Sequence, residues 1–244
     1  MRITVARNSR ELGEEAANLA AKALKEAIAK RGWARMALST GASQLDTLAA
    51  LTRGQIPWKQ VELFQVNERA GLPDEHPSSC RKALKDRFAQ RVPLGSVHYM
   101  DGSEESLANI SREMRKAPID LILLGIGGQG QIGFNTAPAD FESMDAYRAY
   151  PAREGQEDAL ATMTVGEILR CRKIIACAPY GLQAENIRNI LTSRLTEQLP
   201  ATTLRLHGDF NLLLDADSAA QIDVSLIAKH NPALEMYRVF SETE

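Results

Sequence analysis

The sequence predicts a layered α/β sandwich on a mostly parallel sheet, and three observations carry that expectation. Strand-like runs alternate with helix-like runs from end to end of the chain. Several strands are unbroken apolar runs rather than alternations, which is the pattern of strands buried on both faces. The 244 residues are 44% hydrophobic and 25% charged, enough to bury a sizeable core.

Seven runs read as strands: Arg2–Ala6, Arg35–Thr40, Val61–Asn67, Val97–Met100, Asp120–Ile126, Lys173–Pro179 and Asn211–Asp215. The first helix follows in "RELGEEAANLAAKALKEAIAKRG", where Leu12, Ala16, Leu19, Ala23 and Ile28 recur near helical spacing and Gly32 closes it. "SSCRKALKDRFAQRV" and "SEESLANISREMRK" each open on a capping serine. "GLQAENIRNILTSRL" follows the sixth strand. The stretch of about residues 137–160 reads as a lid or cap. No long linker, low-complexity segment or internal repeat divides the chain, so residues 1–244 read as one domain.

Composition excludes several classes. A formal net charge of −2 without a basic run gives no attraction to nucleic acid or to an anionic membrane. The three cysteines, Cys80, Cys171 and Cys177, lack metal-ligand spacing, and their low odd number fits a reducing compartment. The opening residues lack the apolar stretch of a signal peptide, and no apolar run reaches membrane length. A cytoplasmic protein without a metal or nucleotide cofactor is the expectation.

In open α/β sheets ligands sit beyond the carboxyl ends of the strands. Three ends stand out. In "STGASQLDTLAAL", Thr40, Gly41, Ala42 and Ser43 form a small polar turn before a helix, which suits a phosphate; the same residues would serve equally as an ordinary helix cap. "NERAGLPDEHPSSC" brings Asn67, Glu68, Arg69 and His76. For each of these residues a plain surface ion pair or loop role competes with a functional one. "LILLGIGGQGQIGFNTAP" breaks from a strand into five glycines, with Gly127, Gly128 and Asn135 as binding candidates. Between Gly125 and Asn135 that loop has no acid, histidine, lysine, serine or cysteine. His207, near the end of "PATTLRLHGDFNLLLD", reads as structural.

Together these segments resemble the glucosamine-6-phosphate deaminase/isomerase and 6-phosphogluconolactonase family over nearly the whole chain, with details closest to the deaminase branch. The resemblance implies a three-layer α/β/α sandwich with a Rossmann-like sheet and a sugar-phosphate ligand, an amino-hexose phosphate above all. Family members are often oligomers, and no stretch here marks an interface. In the deaminases an aspartate shuttles a proton between C1 and C2, and a loop Asp–His pair with a later Glu opens the ring. Carried over, those positions fall on Asn67, Gln129, Gln131 and Thr136, while the acidic neighbour is kept as Glu68. The phosphate lysine falls at Ala184, and Arg148 and Arg153 lie in the region of the phosphate arginine. Amides hydrogen-bond but do not exchange protons near neutral pH, and each acid–base group contributes roughly 10²–10⁴-fold to a rate.

Three functions follow from this pattern. One is a non-catalytic or repurposed binder of a phosphorylated sugar. Another is an isomerase, deaminase or lactonase that works through Glu68, with Asp140, Glu142 or His76 supplying a second group. The third is an interaction protein with a vestigial pocket.

Overall fold

The structure is a computed structural model that describes residues 1–152, 159–230 and 234–239. Its first half runs β1 (Arg2–Ala6), α1 (Ser9–Arg31), β2 (Ala34–Leu38), α2 (Leu45–Thr52), β3 (Val61–Gln65), β4 (Asn67–Arg69), α3 (Cys80–Leu84), β5 (Ser96–His98) and α4 (Glu104–Met114). Then come β6 (Leu121–Gly125), β7 (Tyr147–Tyr150), β8 (Leu160–Met163), α5 (Val165–Arg170), β9 (Ile174–Ala178), α6 (Ala184–Thr192), β10 (Phe210–Asp215), α7 (Val224–His230) and β11 (Glu235–Arg238). The main sheet has eight strands in the order β11-β1-β10-β9-β6-β2-β3-β5, and every pairing within it is parallel.

The apolar runs explain this arrangement. Along β6, Leu121 and Leu123 face one core and Ile122 and Leu124 the other; β9 divides in the same way. One core packs under α1, α2 and α3, through Leu12, Ala16, Leu48, Leu84 and Phe88. The other packs under α4, α5 and α6, through Ile110, Ile168 and Ile187. Helices on both faces of a parallel sheet make the three layers. α1 begins where the side chain of Asn8 accepts from the Glu11 amide and ends at Gly32, whose φ of +83° is the left-handed stop expected of a glycine there.

The sequence-predicted strand Val61–Asn67 divides in two. Val66 donates its amide to Leu38 of the main sheet and accepts from Met163 with its carbonyl, so the chain changes sheets there. Asn67–Arg69 then pairs with β8 in a three-stranded antiparallel sheet, β4-β8-β7. Within the described parts of the 137–160 segment Ala139, Ala146 and Tyr147 are buried, and the Tyr147 hydroxyl donates to the Gln65 carbonyl at 2.8 Å. Residues 153–158 of that segment lie outside the described residues. No helix of the described residues is long and apolar enough to cross a membrane.

Candidate functional site

Four neighbouring strands, β9, β6, β2 and β3, end on the same edge of the main sheet. After β2 the chain winds towards β3 and β5; after β6 it winds the other way, towards β9 and β10. A cleft of about 280 Å³ opens at this reversal, where the crossovers part to the two sides and leave room above the sheet. Ser39, Gly41, Ala42 and Ser43 form its wall beyond β2, Asn67 beyond β3, and Gly125, Ile126, Gly127, Gln131, Gly133 and Phe134 beyond β6.

The turn after β2 is pinned to β6 by the Ser39 amide, which donates to the Leu123 carbonyl at 3.0 Å. It enters a short helical turn, Ala42–Gln44, that runs straight into α2. The first amides of a helix have no partner within it and carry the positive end of its dipole, so this wall can face an anion. Gly125 lets the turn come close: a Cβ there would lie 2.0 Å from the Ser43 Oγ. Thr40 lies outside the wall. It is buried, with its hydroxyl on the Cys80 carbonyl at 3.5 Å and its own carbonyl accepting from Arg87 at 2.8 Å.

The loop after β6 is folded tightly on itself. The Gly127 amide donates to the Gln131 carbonyl at 2.9 Å, and the Gly130 amide to the Gly127 carbonyl at 2.9 Å. The Gln131 side chain lies over Gly127, where an added Cβ would sit 2.2 Å from its carboxamide carbon. Its Oε1 accepts from the Gln129 amide at 3.0 Å, and the residue lines the cleft. Gly128 and the Gln129 side chain are exposed outside the wall, and Thr136 is also outside it. Asn135 is buried off the wall, its Nδ2 donating to the carbonyls of Ile132 and Met163 at 2.9 Å each; it fastens the loop to β8.

Asn67 and Glu68 are adjacent in sequence and opposite in role. Asn67 is 8% exposed, faces the cleft and donates to the Cys80 Sγ at 3.3 Å. Glu68, 1% exposed, points away. Its carboxylate accepts from the amides of Arg69, Cys80 and Arg81, from Gln65 Nε2 and from the Ser79 hydroxyl. Five donors on one buried carboxylate clamp β4 to the start of α3 and leave it no reach into the cleft, which corrects the expectation of Glu68 as a base. Burial, and then the negative charge of Glu68, push the Cys80 thiol up to about 12.

A fourth strand end completes the wall. Pro179, Tyr180 and Gln183 follow β9. Gln183 Nε2 donates to the Ile126 carbonyl at 3.4 Å, and Asn186 donates to Gln183 Oε1 and to the Gly127 carbonyl. The rule that ligands gather at carboxyl ends applies to this end as well, and its position after a strand is the signal that "APYGLQ" carries.

The remaining candidates are placed elsewhere. Ala184 is buried in α6. Arg148 pairs with Asp140, whose carboxyl is held below its usual range by the Glu142 amide and, against its partial burial, by Arg148. Arg153 lies outside the described residues. Exposed His76 accepts from the Ser78 amide, and His207 bridges the Cys171 carbonyl and the Asp209 amide. Among the described residues, the cleft wall contains no carboxylate, imidazole, ammonium, guanidinium or thiol.

A doubly wound parallel sheet with a small cleft at its winding reversal defines the chain as an α/β protein of the open-sheet class. Residues 7–212 match the family described as glucosamine-6-phosphate isomerases/6-phosphogluconolactonase, and the chain belongs to that family. It is 29% identical to the glucosamine-6-phosphate deaminase of Thermoanaerobacter sp. (strain X514), over 91% of this chain and 95% of that one. It is 28% identical to the glucosamine-6-phosphate deaminase of Streptococcus thermophilus, over 85% of this chain and 96% of that one. Among solved structures, a monomeric glucosamine-6-phosphate deaminase superposes with a TM-score of 0.79 and 25% identity, covering 91% of this chain and all of that one. The 6-phosphogluconolactonase of Thermotoga maritima shares the fold, with a TM-score of 0.76 at 17% identity over 88% of this chain and 99% of that one.

Proposed function

We propose that this chain binds a phosphorylated sugar, an amino-hexose phosphate above all, and holds it without the acid–base turnover of its deaminase relatives. One observation carries this reading: among the described residues, the cleft wall presents the carboxamides of Asn67, Gln131 and Gln183 and no carboxylate, imidazole, ammonium, guanidinium or thiol. Asn67 and Gln131 stand where the resemblance expects the shuttling aspartate and the ring-opening histidine. In this reading the phosphate sits at Gly41–Ser43, on the amides of the turn that leads into α2. The carboxamides then meet the sugar hydroxyls. The whole chain acts as one sugar-phosphate isomerase/deaminase-like domain.

Calorimetric titration with glucosamine 6-phosphate, run beside an ammonia-release assay, tests this. Saturable binding without ammonia release is expected. Rapid release of ammonia and fructose 6-phosphate would reject the reading, as would failure to bind any hexose phosphate.

A further inference from the structure

Among the described residues, Tyr180 is the one residue other than glycine with a left-handed backbone, at φ 80° and ψ 136°. An L side chain at such angles is strained, and such strain persists only where the surroundings impose it. Here the cause is visible. The buried Asp215 carboxylate accepts the Tyr180 amide at 2.8 Å, and its other oxygen is fixed by the Ser218 amide at 2.8 Å. Glycine follows at position 181, so the sequence could have placed the flexible residue one position earlier. Instead the strained position carries a large ring, 43% exposed, in the wall of the cleft. Phe134 contributes a second ring to the same wall.

We propose that Tyr180 is a specificity-determining residue that selects the closed-ring form of the ligand. This rests on the reading of the cleft as a sugar-phosphate site. A closed pyranose or furanose offers a flat face of C–H groups that packs on an aromatic ring; an extended polyol chain offers none. The carboxamides of Asn67, Gln131 and Gln183 hydrogen-bond hydroxyls of a closed ring without the proton transfers that opening it requires. The strained backbone fixes the direction in which the Tyr180 side chain leaves the main chain before the ligand arrives, so part of the ordering is done in advance. The ligand class is therefore a cyclic sugar phosphate held as a ring.

Three probes separate the outcomes: an anhydrohexitol phosphate, whose ring does not open; the matching alditol phosphate, which does not close; and inorganic phosphate. The wild-type chain is expected to bind the anhydrohexitol phosphate about tenfold or more tightly than the alditol phosphate, the scale of one ring contact. Tyr180→Phe keeps that preference. Tyr180→Gly abolishes it while leaving inorganic phosphate affinity unchanged and the unfolding temperature no lower, because glycine relieves the strained backbone. Equal or tighter binding of the alditol phosphate overturns the inference, and so does a Tyr180→Gly variant that keeps the ring preference. A wild-type chain that binds none of the sugar phosphates rejects the underlying functional reading, and this inference with it.

Discussion

At the amino-terminal edge of the main sheet, Arg35 is 1% exposed, and its guanidinium donates to Glu62 and to the carbonyls of Glu113, Met114 and Ala117 while lying over the Phe64 ring. At the carboxyl-terminal edge the cleft wall holds amides, small hydroxyls and two rings. Near Arg35, His98 bonds Glu62 at 2.7 Å and stacks on Phe64 at 4.4 Å, and Asp120 gathers Arg31, Arg172 and the Arg35 amide. Glu62, His98 and Glu113 are close enough together to suggest a metal, but Arg35 and Lys116 already neutralise the two carboxylates. Among the described residues, the ionised groups at the amino edge tie elements together, and those near the carboxyl edge, Glu68 and Asp215, are likewise bound to backbone and lie off the cleft wall. A buried charge is tolerable only where its partners are fixed, as they are around Arg35.

The sharpest way to break this contrast is at Arg35. Arg35→Met leaves Glu62 without its main partner and three carbonyls without a donor, and should cost about 3–5 kcal/mol in urea unfolding. Ligand affinity should not change. A loss below about 1 kcal/mol would mean that the amino edge tolerates an apolar filler as well as its ion network.

Glu68→Gln comes next. The neutral side chain keeps one acceptor and turns an N–H₂ towards backbone donors, which should destabilise the protein by about 2–3 kcal/mol. Sugar-phosphate affinity should stay within about twofold of the wild type, a change of under half a kcal/mol. The reverse pattern, intact stability with abolished chemistry, would restore Glu68 to the cleft and dissolve the division of labour between it and Asn67.

Stability at alkaline pH probes buried neutral groups. Burial holds the thiols of Cys80 and Cys177 up, at about 12 and about 11, well above an unfolded thiol. The folded state therefore favours the neutral thiol. Its contribution is complete below the unfolded value and is lost as pH rises through the window up to the folded ones. Above about pH 9 the stability curve should fall, each thiol adding about 1.4 kcal/mol per pH unit at most. Cys80→Ala should make that fall shallower; an unchanged slope would mean that other groups set it.

The main sheet was legible except for its edge strand β11, because apolar runs report burial on both faces and β11 is mostly exposed; the lengths of β1, β6, β9 and β10 follow the runs closely. The small sheet was not. Tyr147–Tyr150 and Leu160–Met163 are short, and Leu160–Met163, which pairs with Tyr147–Tyr150, also pairs with Asn67–Arg69 far away in the chain, so no local pattern marks the sheet. At the cleft, Gly41–Ser43, Asn67, Gly127 and Gln131 were readable from strand ends and glycines. Glu68 and Asn135 were misassigned because sequence does not tell which side of a strand end a polar group faces. Tyr180 and Gln183 were missed because a tyrosine before a glycine looks like any turn until its φ is known.

The smallest expected effect tests the loop itself. In Gly127→Ala the new methyl meets only the Gln131 carboxamide, the far end of a flexible side chain, so the fold should lose less than about 1 kcal/mol. Gln131 must then swing from the Gln129 amide, which moves its carboxamide from its present place over Gly127. Affinity for the sugar phosphate should fall about tenfold, as one hydrogen bond to a ligand hydroxyl is lost. Gly128→Ala, where an added Cβ meets no atom within 4 Å, is the control one residue away and should bind as the wild type does. If both variants bind equally well, Gln131 does not touch the ligand. The cleft wall would then act through its backbone amides, and the carboxamides would only shape the loop.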